Sequence, residues 1–427
     1  MDLCYDGKNV CGPERALPSR ALPYRPSENE VSSSLENDEP KISALGFSTR
    51  AIHVGQAPDP TTGATIVPLY LTSTYTQTDL GVHRGYEYGR ADNPTRQALE
   101  TALASLENGR YALTFASGMA AIDAIIRMLN AGDRVLAGED LYGGAFRLFE
   151  RVYHDHGILT DYANLSVPET FLSALHPTSR LLWLETPTNP LLRVADIEAL
   201  AQAAHERGMW VAVDNTFATP YLQNPLDLGA DMVVHSMTKY IGGHSDVLGG
   251  LVVTNDAGIF ERLKFLQNAV GSILGAFEAW LLLRGIKTLG VRMARHQENM
   301  MALKAFLEEH AGVDRVYYPG SESAHEADVV SRQMRGMGAM LSFEVRPRRG
   351  QSEVDRVREV VRATKIFALA ESLGGVESLI GHPATMTHAA IPAHTRRERG
   401  ISDRLIRLSV GIEEVEDLLD DLKRALA

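Results

Sequence analysis

The first residue that asks for a chemical explanation is Lys239. It is the only lysine between Ile42 and Leu263, in a chain whose default cation is arginine. Arginine stays protonated, whereas a lysine amine can lose its proton and form an imine with a carbonyl. The alternative is a solvated surface lysine. Asp214 follows the apolar run Met209-Trp210-Val211-Ala212-Val213. A carboxylate there is costly unless a cation meets it. Either it is a helix cap or a buried structural partner, or it faces a protonated ring nitrogen. An imine-forming amine and a carboxylate for a pyridinium nitrogen are together what pyridoxal 5'-phosphate (PLP) requires.

A phosphate needs donors. Ser117-Gly118-Met119 ends one apolar run and opens a helical one, so its backbone N–H groups can face an anion at the positive end of a helix. An ordinary N-cap is the other reading. Ser236 and Thr238 add hydroxyls beside Lys239, and Tyr142 offers a ring to a planar cofactor or to the core. The chain has no Walker loop and no G-x-G-x-x-G, which disfavours a nucleotide. His235, His244 and Asp246, or His382 and His388, invite a metal-hydrolase reading, but none has the H-E-x-x-H spacing. No metal is expected.

These residues must be positioned by elements. Short apolar runs at Tyr111–Phe115, Arg134–Ala137, Ile158–Tyr162, Arg180–Leu184, Met209–Val213 and Asp231–His235 read as strands. Helical patterns lie between them at Ala120–Leu129, Ala145–His154, Pro168–Leu175 and Asp196–Arg207. Buried strands alternating with helices predict an α/β fold with a mostly parallel sheet covered on both faces. Ligands then sit at the strands' carboxyl ends, where the residues above fall. Beyond about Arg284 the texture changes. Val291–Glu309 and Val415–Leu426 read as helices, and Ala339–Val345, Lys365–Leu369 and Leu405–Val410 as strands of a smaller α+β domain. No internal repeat is visible.

Composition sets outer limits. The chain has 427 residues, 44% hydrophobic and 22% charged, with 42 Lys plus Arg against 54 Asp plus Glu. That is a globular balance, and the net charge of −12 disfavours nucleic acid as a partner. No apolar run approaches the ~20 residues of a membrane span, and Met1–Val10 lacks a secretory h-region. Both cysteines, Cys4 and Cys11, stand near the start and offer no disulfide framework. A cytoplasmic protein without a membrane partner is expected. Residues 1–43, rich in proline and serine, read as a flexible extension.

The motifs together resemble the Cys/Met-metabolism (trans-sulfuration) family of PLP-dependent enzymes, from about Gly46 to the C-terminus. They are Tyr88-Gly89-Arg90 with Asn93-Pro94-Thr95, Ser117-Gly118-Met119, Glu185-Thr186-Pro187-Thr188-Asn189-Pro190, and Val213-Asp214-Asn215-Thr216. They continue with His235-Ser236-Met237-Thr238-Lys239-Tyr240, Glu371-Ser372-Leu373-Gly374-Gly375 and Arg407-Leu408-Ser409-Val410-Gly411. The resemblance implies a type I PLP-dependent transferase (aspartate-aminotransferase-like) fold and a homotetramer of two catalytic dimers. By the same resemblance Lys239 is the Schiff-base lysine and catalytic base, Asp214 partners the ring nitrogen, and Asn189 lies beside the ring hydroxyl. Gly118, Met119, Ser236 and Thr238 match the phosphate cradle. Tyr88 and Arg90 match a pair that reaches a neighbouring subunit's phosphate. Tyr142 matches the tyrosine that stacks on the ring and assists leaving-group chemistry. Ser372 and Arg407 match the holders of the substrate α-carboxylate. The implied divisions are an arm over 44–89, a PLP-binding domain over 90–285 and a C-terminal domain over 286–427.

The implied chemistry is γ-elimination on a small sulfur amino acid, giving cysteine, 2-oxobutanoate and ammonia from cystathionine. γ-Replacement, with cysteine and an O-acyl homoserine, is the close alternative. Glu371, Glu87 and Arg147 match positions used for the distal part of the substrate, and an acid at 371 suits cystathionine's far ammonium. The methionine-degrading branch carries a cysteine two residues after the stacking tyrosine, where this chain has Gly144. That branch and the β-lyases therefore rank behind. A non-catalytic binding protein on the same fold is the reading from another class, and the retention of Lys239 and Asp214 stands against it.

Overall fold

The computed structural model describes residues 44–389 and 391–427; the extension expected over 1–43 lies outside the described residues. Seven strands form the larger sheet: β1 (Tyr111–Phe115), β2 (Arg134–Gly138), β3 (Leu159–Ala163), β4 (Ser179–Glu185), β5 (Trp210–Asp214), β6 (Met232–Ser236) and β7 (Gly250–Thr254). Their order is β1-β7-β6-β5-β4-β2-β3. Strands β2 to β6 pair in parallel, and β7 runs antiparallel to both β6 and β1. The expected mostly parallel sheet is present, with β7 as an additional, reversed strand.

Side chains of the central strands alternate between two apolar layers. Trp183, Ala212, Val234 and Val252 pack with Ile122, Ile125 and Phe149 on one face. Leu182, Leu184, Val211 and Val213 pack with Ile197, Leu200 and Ala204 on the other. Burial of both faces explains why these strands read as continuous apolar runs.

A second sheet contains β8 (Val313–Tyr317), β9 (Met340–Val345), β10 (Ala368–Leu369), β11 (Leu379–Gly381) and β12 (Leu405–Ser409), in the order β10-β11-β12-β9-β8. All its pairs are antiparallel except β10 with β11. One apolar cluster runs through both sheets, from Leu103, Val233 and Leu251 through Ile286 and Met293 to Leu341, Leu408 and Leu422. The second sheet is thus packed onto the first by a shared core.

Two sequence expectations need correction. The strand expected over Lys365–Leu369 is only Ala368–Leu369. The N–H groups of Lys365, Ile366 and Phe367 instead turn to the carboxylate of Asp421, on the C-terminal helix. The helix expected over Ala145–His154 is α-helical only at Gly143–Leu148. It widens into a π-turn at Phe149–Tyr153 and tightens at His154–His156 before Gly157, at φ 79°, reverses the chain.

Gly250 fixes how the site's edge is built. A Cβ there would stand 2.0 Å from the Ser117 carbonyl oxygen, so only glycine lets β7 pass this close to the start of the helix after β1. Gly138, at the end of β2, has nothing within 4 Å of the same position and no positive φ. Gly250→Ala should therefore destabilise by about 1–3 kcal/mol through overpacking. Gly138→Ala should be neutral or slightly stabilising, because it restricts the unfolded chain. Thermal midpoints check this; equal midpoints for the two variants would contradict the packing.

Candidate active site

The carboxyl ends of β1, β2, β4, β5 and β6 share one edge, together with the amino end of β7. The following residues of each strand deliver Ser117-Gly118-Met119, Asp140 to Tyr142, Glu185 to Asn189, Asp214 to Thr216, and Ser236 to Lys239. The second sheet adds Arg407 from β12, and Ser372 from the segment between β10 and β11.

Lys239 is held by a compact turn. Its N–H donates to Ser236 O at 3.2 Å, and its carbonyl accepts from Gly243 N at 2.8 Å. Buried Arg292 grips the next carbonyls, donating to Tyr240 O at 2.6 Å and Gly285 O at 2.9 Å. Gly243, at φ 73°, leaves room for that guanidinium, since a Cβ there would lie 2.1 Å from an Arg292 nitrogen. The half-buried Lys239 amine donates to Ser372 Oγ at 2.8 Å, and burial followed by the charge of Arg407 brings its pKa down to about 8. The surface-lysine alternative does not hold.

Arg407 is buried and donates to Asn189 Oδ1 at 2.9 Å and to Ser372 O at 3.0 Å. Loss of solvent lowers its pKa to about 10. Ser372 sits at φ 111°, a backbone region that costs a non-glycine residue about 1–3 kcal/mol. Its hydroxyl and carbonyl are held by Lys239 and Arg407 respectively. His388 Nε2 donates to the Asn189 carbonyl at 2.9 Å. Burial brings its pKa to about 4, so it is neutral and can donate there.

The acids gather on the other side. Asp214 Oδ1 accepts from Thr216 N at 3.0 Å, and Thr216 Oγ1 in turn accepts from Ser236 N at 2.9 Å. Burial raises the Asp214 pKa, while the Thr216 hydrogen bonds oppose the rise. Glu185 accepts the Tyr142 N–H at 2.8 Å, and burial raises its carboxyl further, with Asp214 adding to the effect. Asp140 is raised to about 6, chiefly by burial. Tyr142 is 38% exposed, which overturns the alternative of a core tyrosine. Gly144 makes room for its ring: a Cβ there would stand 2.3 Å from Tyr142 Cε1.

The helix start after β1 lies against the end of β6. Ser117 caps its helix, accepting from Ala120 N at 3.1 Å on Oγ and from Ala121 N at 3.1 Å on its carbonyl. The first helical N–H groups, those of Gly118 and Met119, precede the intrahelical ladder and are available to a ligand. A Cβ on Gly118 would lie 2.9 Å from Ser236 Cβ, so glycine is what brings this turn against Ser236. Thr238 Oγ1 accepts from Gly249 N at 3.2 Å.

Other expected residues lie outside this cluster. Tyr88 and Arg90 are exposed ahead of the helix at Pro94–Leu106, with the guanidinium 5.8 Å from the tyrosine ring centre. Glu87 is exposed and 3.6 Å from His83. Glu371 and Arg147 are exposed, yet close enough for their charges to act on Tyr142, and that of Glu371 on Lys239. Asn93 of the arm motif is a helix cap, accepting from Thr95 N and Arg96 N ahead of Pro94–Leu106. His235 hydrogen-bonds to buried Glu107, and His382 to Thr385 and the Asp403 carbonyl. Arg292 and Glu185's contact with Tyr142 escaped the sequence reading, because each depends on a partner at least 43 residues away, whereas His388, read from the sequence as no metal ligand, supports the Asn189 backbone.

A recessed amine near neutrality, a recessed carboxylate and a glycine-lined helix start suit PLP's carbonyl, ring nitrogen and phosphate. Residues 48–427 match the family model described as Cys/Met metabolism PLP-dependent enzyme. The chain belongs to this family. A cystathionine γ-lyase of Dictyostelium discoideum is 50% identical over 381 residues, covering 89% of this chain and 97% of that protein. A cystathionine β-lyase of Coxiella burnetii is 47% identical, with the same two coverages. A solved cystathionine γ-synthase from Xanthomonas oryzae, in complex with aminoacrylate and cysteine, superposes with a TM-score of 0.86 at 44% identity, covering 90% of this chain and 98% of its own. The fold is the α/β fold of these PLP-dependent enzymes, and the chain is a PLP-dependent enzyme of cysteine and methionine metabolism.

For a family member stripped of PLP, the lowered Lys239 pKa has a direct consequence. A lowered value frees the amine at lower pH, so reductive methylation of Lys239 should rise with a midpoint near pH 8. Peptide mass mapping reads the site. A midpoint at or above the ordinary lysine value of 10.5 would show that burial and Arg407 leave the amine unperturbed.

Proposed function

We propose that this enzyme is a cystathionine γ-lyase, cleaving cystathionine to cysteine, 2-oxobutanoate and ammonia. The observation that carries the reading is the arrangement around Lys239. Ser372 accepts from its amine, Arg407 holds the Ser372 carbonyl, and the charges of Arg407 and Glu371 both reach the amine. In this reading Arg407 and Ser372 bind the substrate α-carboxylate, and Glu371 attracts the distal ammonium, with Glu87 and Arg147 toward the same end. γ-Synthesis from O-acetyl- or O-succinylhomoserine and cysteine is the second reading, favoured by the likeness to the Xanthomonas γ-synthase.

PLP would be held by Lys239 at its carbonyl, by Asn189 near the ring hydroxyl, by Tyr142 against the ring, and by Gly118, Met119, Ser236 and Thr238 at the phosphate. When bound, PLP accepts into its ring the electron pair left as the substrate's Cα–H bond breaks. Asp214 keeps a proton on the ring nitrogen. The Lys239 amine, its pKa lowered to about 8, would take the Cα proton, return it to the bound cofactor and, free again, serve as the base at Cβ. Tyr142 supports protonation of the departing sulfur. The divisions at 44–89, 90–285 and 286–427, a cytoplasmic location and a homotetramer of two catalytic dimers belong to the same proposal. The exposure of Tyr88 and Arg90 supports an arm that completes a neighbour's site. Among the described residues, no helix is long and apolar enough to cross a membrane.

Product analysis tests the reaction. Cystathionine should yield cysteine and 2-oxobutanoate faster than O-acyl homoserine plus cysteine yields cystathionine; the reverse would favour the synthase. Glu371→Val should lower kcat/KM for cystathionine about ten- to hundredfold. A charged hydrogen bond is worth roughly 1.5–3 kcal/mol, and ~1.4 kcal/mol is tenfold. Substrates without the distal ammonium should lose much less. Equal losses would remove Glu371 from substrate recognition.

The shared site has its own test. Lys239→Ala and Arg90→Ala subunits, each inactive alone, should regain activity when mixed, since one site of each hybrid dimer keeps both residues. Hybrids shown to form but without recovered activity would count against the shared site.

A further inference from the structure

Glu185 has no role in the reading above, yet it stands at the centre of the acid side. It ends β4 directly opposite Asp214 at the end of β5. Register partners in neighbouring parallel strands point to the same face, with backbones about 4.8 Å apart. Glu185 is 8% exposed. Among the described residues, no Lys, Arg or His nitrogen lies within 4.0 Å of either carboxyl group. The charged and titratable groups that act on Glu185 from the surrounding elements are Asp214 on β5, Asp140 after β2 and Arg407 on β12. Arg407 already donates to Asn189 and Ser372. Two adjacent carboxyl groups in such a place cannot both ionise cheaply. Each accepts one backbone N–H, Asp214 from Thr216 and Glu185 from Tyr142, and the less buried Asp214, where a protonated ring nitrogen would sit, is the one favoured as the anion.

The other half of the observation is Tyr142. Its N–H donates to Glu185 Oε2 at 2.8 Å, and no side chain caps the helix that starts there. This single bond ties the backbone of the half-exposed tyrosine to the sheet edge. A neutral carboxyl group still has a carbonyl oxygen to accept it.

We propose that Glu185 is a positioning residue: remaining protonated, it anchors the Tyr142 backbone and leaves the negative charge beside it to Asp214 alone. The inference rests on the reading of Asp214 as partner of the ring nitrogen. Paired carboxyl groups whose environments divide acid from anion are a recurrent device in enzyme sites.

Two variants separate the two tasks. Glu185→Gln keeps a carbonyl acceptor of the same reach and cannot ionise, whereas Glu185→Ala loses both. In the PLP-free full chain, a carboxyl group whose pKa is raised by folding stabilises below its unfolded value and loses that contribution as pH rises through the raised one. From about pH 5 upward, the wild type's thermal midpoint should therefore fall relative to that of Glu185→Gln by about 2 °C per pH unit, until Glu185 has titrated. PLP binding, read by absorption, should be weakened about tenfold in Glu185→Ala and largely rescued in Glu185→Gln. A midpoint difference independent of pH would overturn the protonation claim. A Gln variant that binds PLP as poorly as the Ala variant would overturn the anchoring claim. Wild-type PLP affinity in Asp214→Asn would instead sink the ring-nitrogen reading, while the PLP-free pH comparison still judges Glu185 by itself.

Discussion

The guanidinium of Arg407 is buried without a carboxylate within 4.0 Å among the described residues, and the site is organised around that unneutralised charge. Neutral oxygens hold it: Asn189 Oδ1, beyond the end of β4, and the Ser372 carbonyl, from the second sheet. The two sheets are thereby joined at the site by one cation as well as by their shared core. Such a cation lacks most of the stabilisation that water or a counter-ion would give. A carboxylate entering the site would supply it. The same positive charge helps to push the Lys239 amine toward its neutral form. In the proposed reading, a substrate α-carboxylate docking on Arg407 would relax that push and so couple substrate binding to the proton affinity of Lys239.

The backbone around Ser372 carries the cost of this arrangement. Its φ of 111° is unfavourable for a side-chain-bearing residue. Nearby Gly374, at φ 78°, lies so close to the Lys239 turn that a Cβ would stand 2.6 Å from Tyr240 N. On the opposite side of that turn Arg292 grips the carbonyls of Tyr240 and Gly285. The lysine is thus fixed from both flanks by main-chain packing and buried hydrogen bonds, and only its side chain retains freedom. A reactive amine needs that combination, because small misplacements of the nitrogen cost orders of magnitude in rate.

What the sequence disclosed and what it withheld follow from the range of the physics involved. Local patterns carried far. The apolar runs ending at Phe115, Leu184, Val213 and His235 fall on strands to within a residue or two, and the final helix is found at Val415–Leu426 as expected. The strand-end rule then located Ser117, Asn189, Asp214 and Lys239 together. Three strands were missed. β11 is three residues long, β8 carries charged Asp314 and Arg315 inside it, and β7 follows a glycine pair without a helix before it. The over-long strand at Lys365–Leu369 failed because a side chain, Asp421, 52 or more residues away, takes its N–H groups. Arg292 was illegible for the same reason: a buried polar residue declares its purpose only through its distant partner.

The lysine count itself acquires a physical meaning from the fold. The next lysine along the chain, Lys264, is bound at 2.6 Å to Asp92 and at 2.8 Å to the Ala91 carbonyl, on the segment that links the arm to the first helix after it. Its ammonium is held as one half of an ion pair. Lys239 has no carboxylate partner within 4.0 Å among the described residues, only the neutral Ser372 hydroxyl. One lysine is therefore engaged by an acid, and the other has its pKa lowered to about 8 by burial and a neighbouring guanidinium. Lys239 thus offers an amine that deprotonates more readily than an ordinary lysine, and the arginines elsewhere between Ile42 and Leu263 supply charge without competing for a carbonyl.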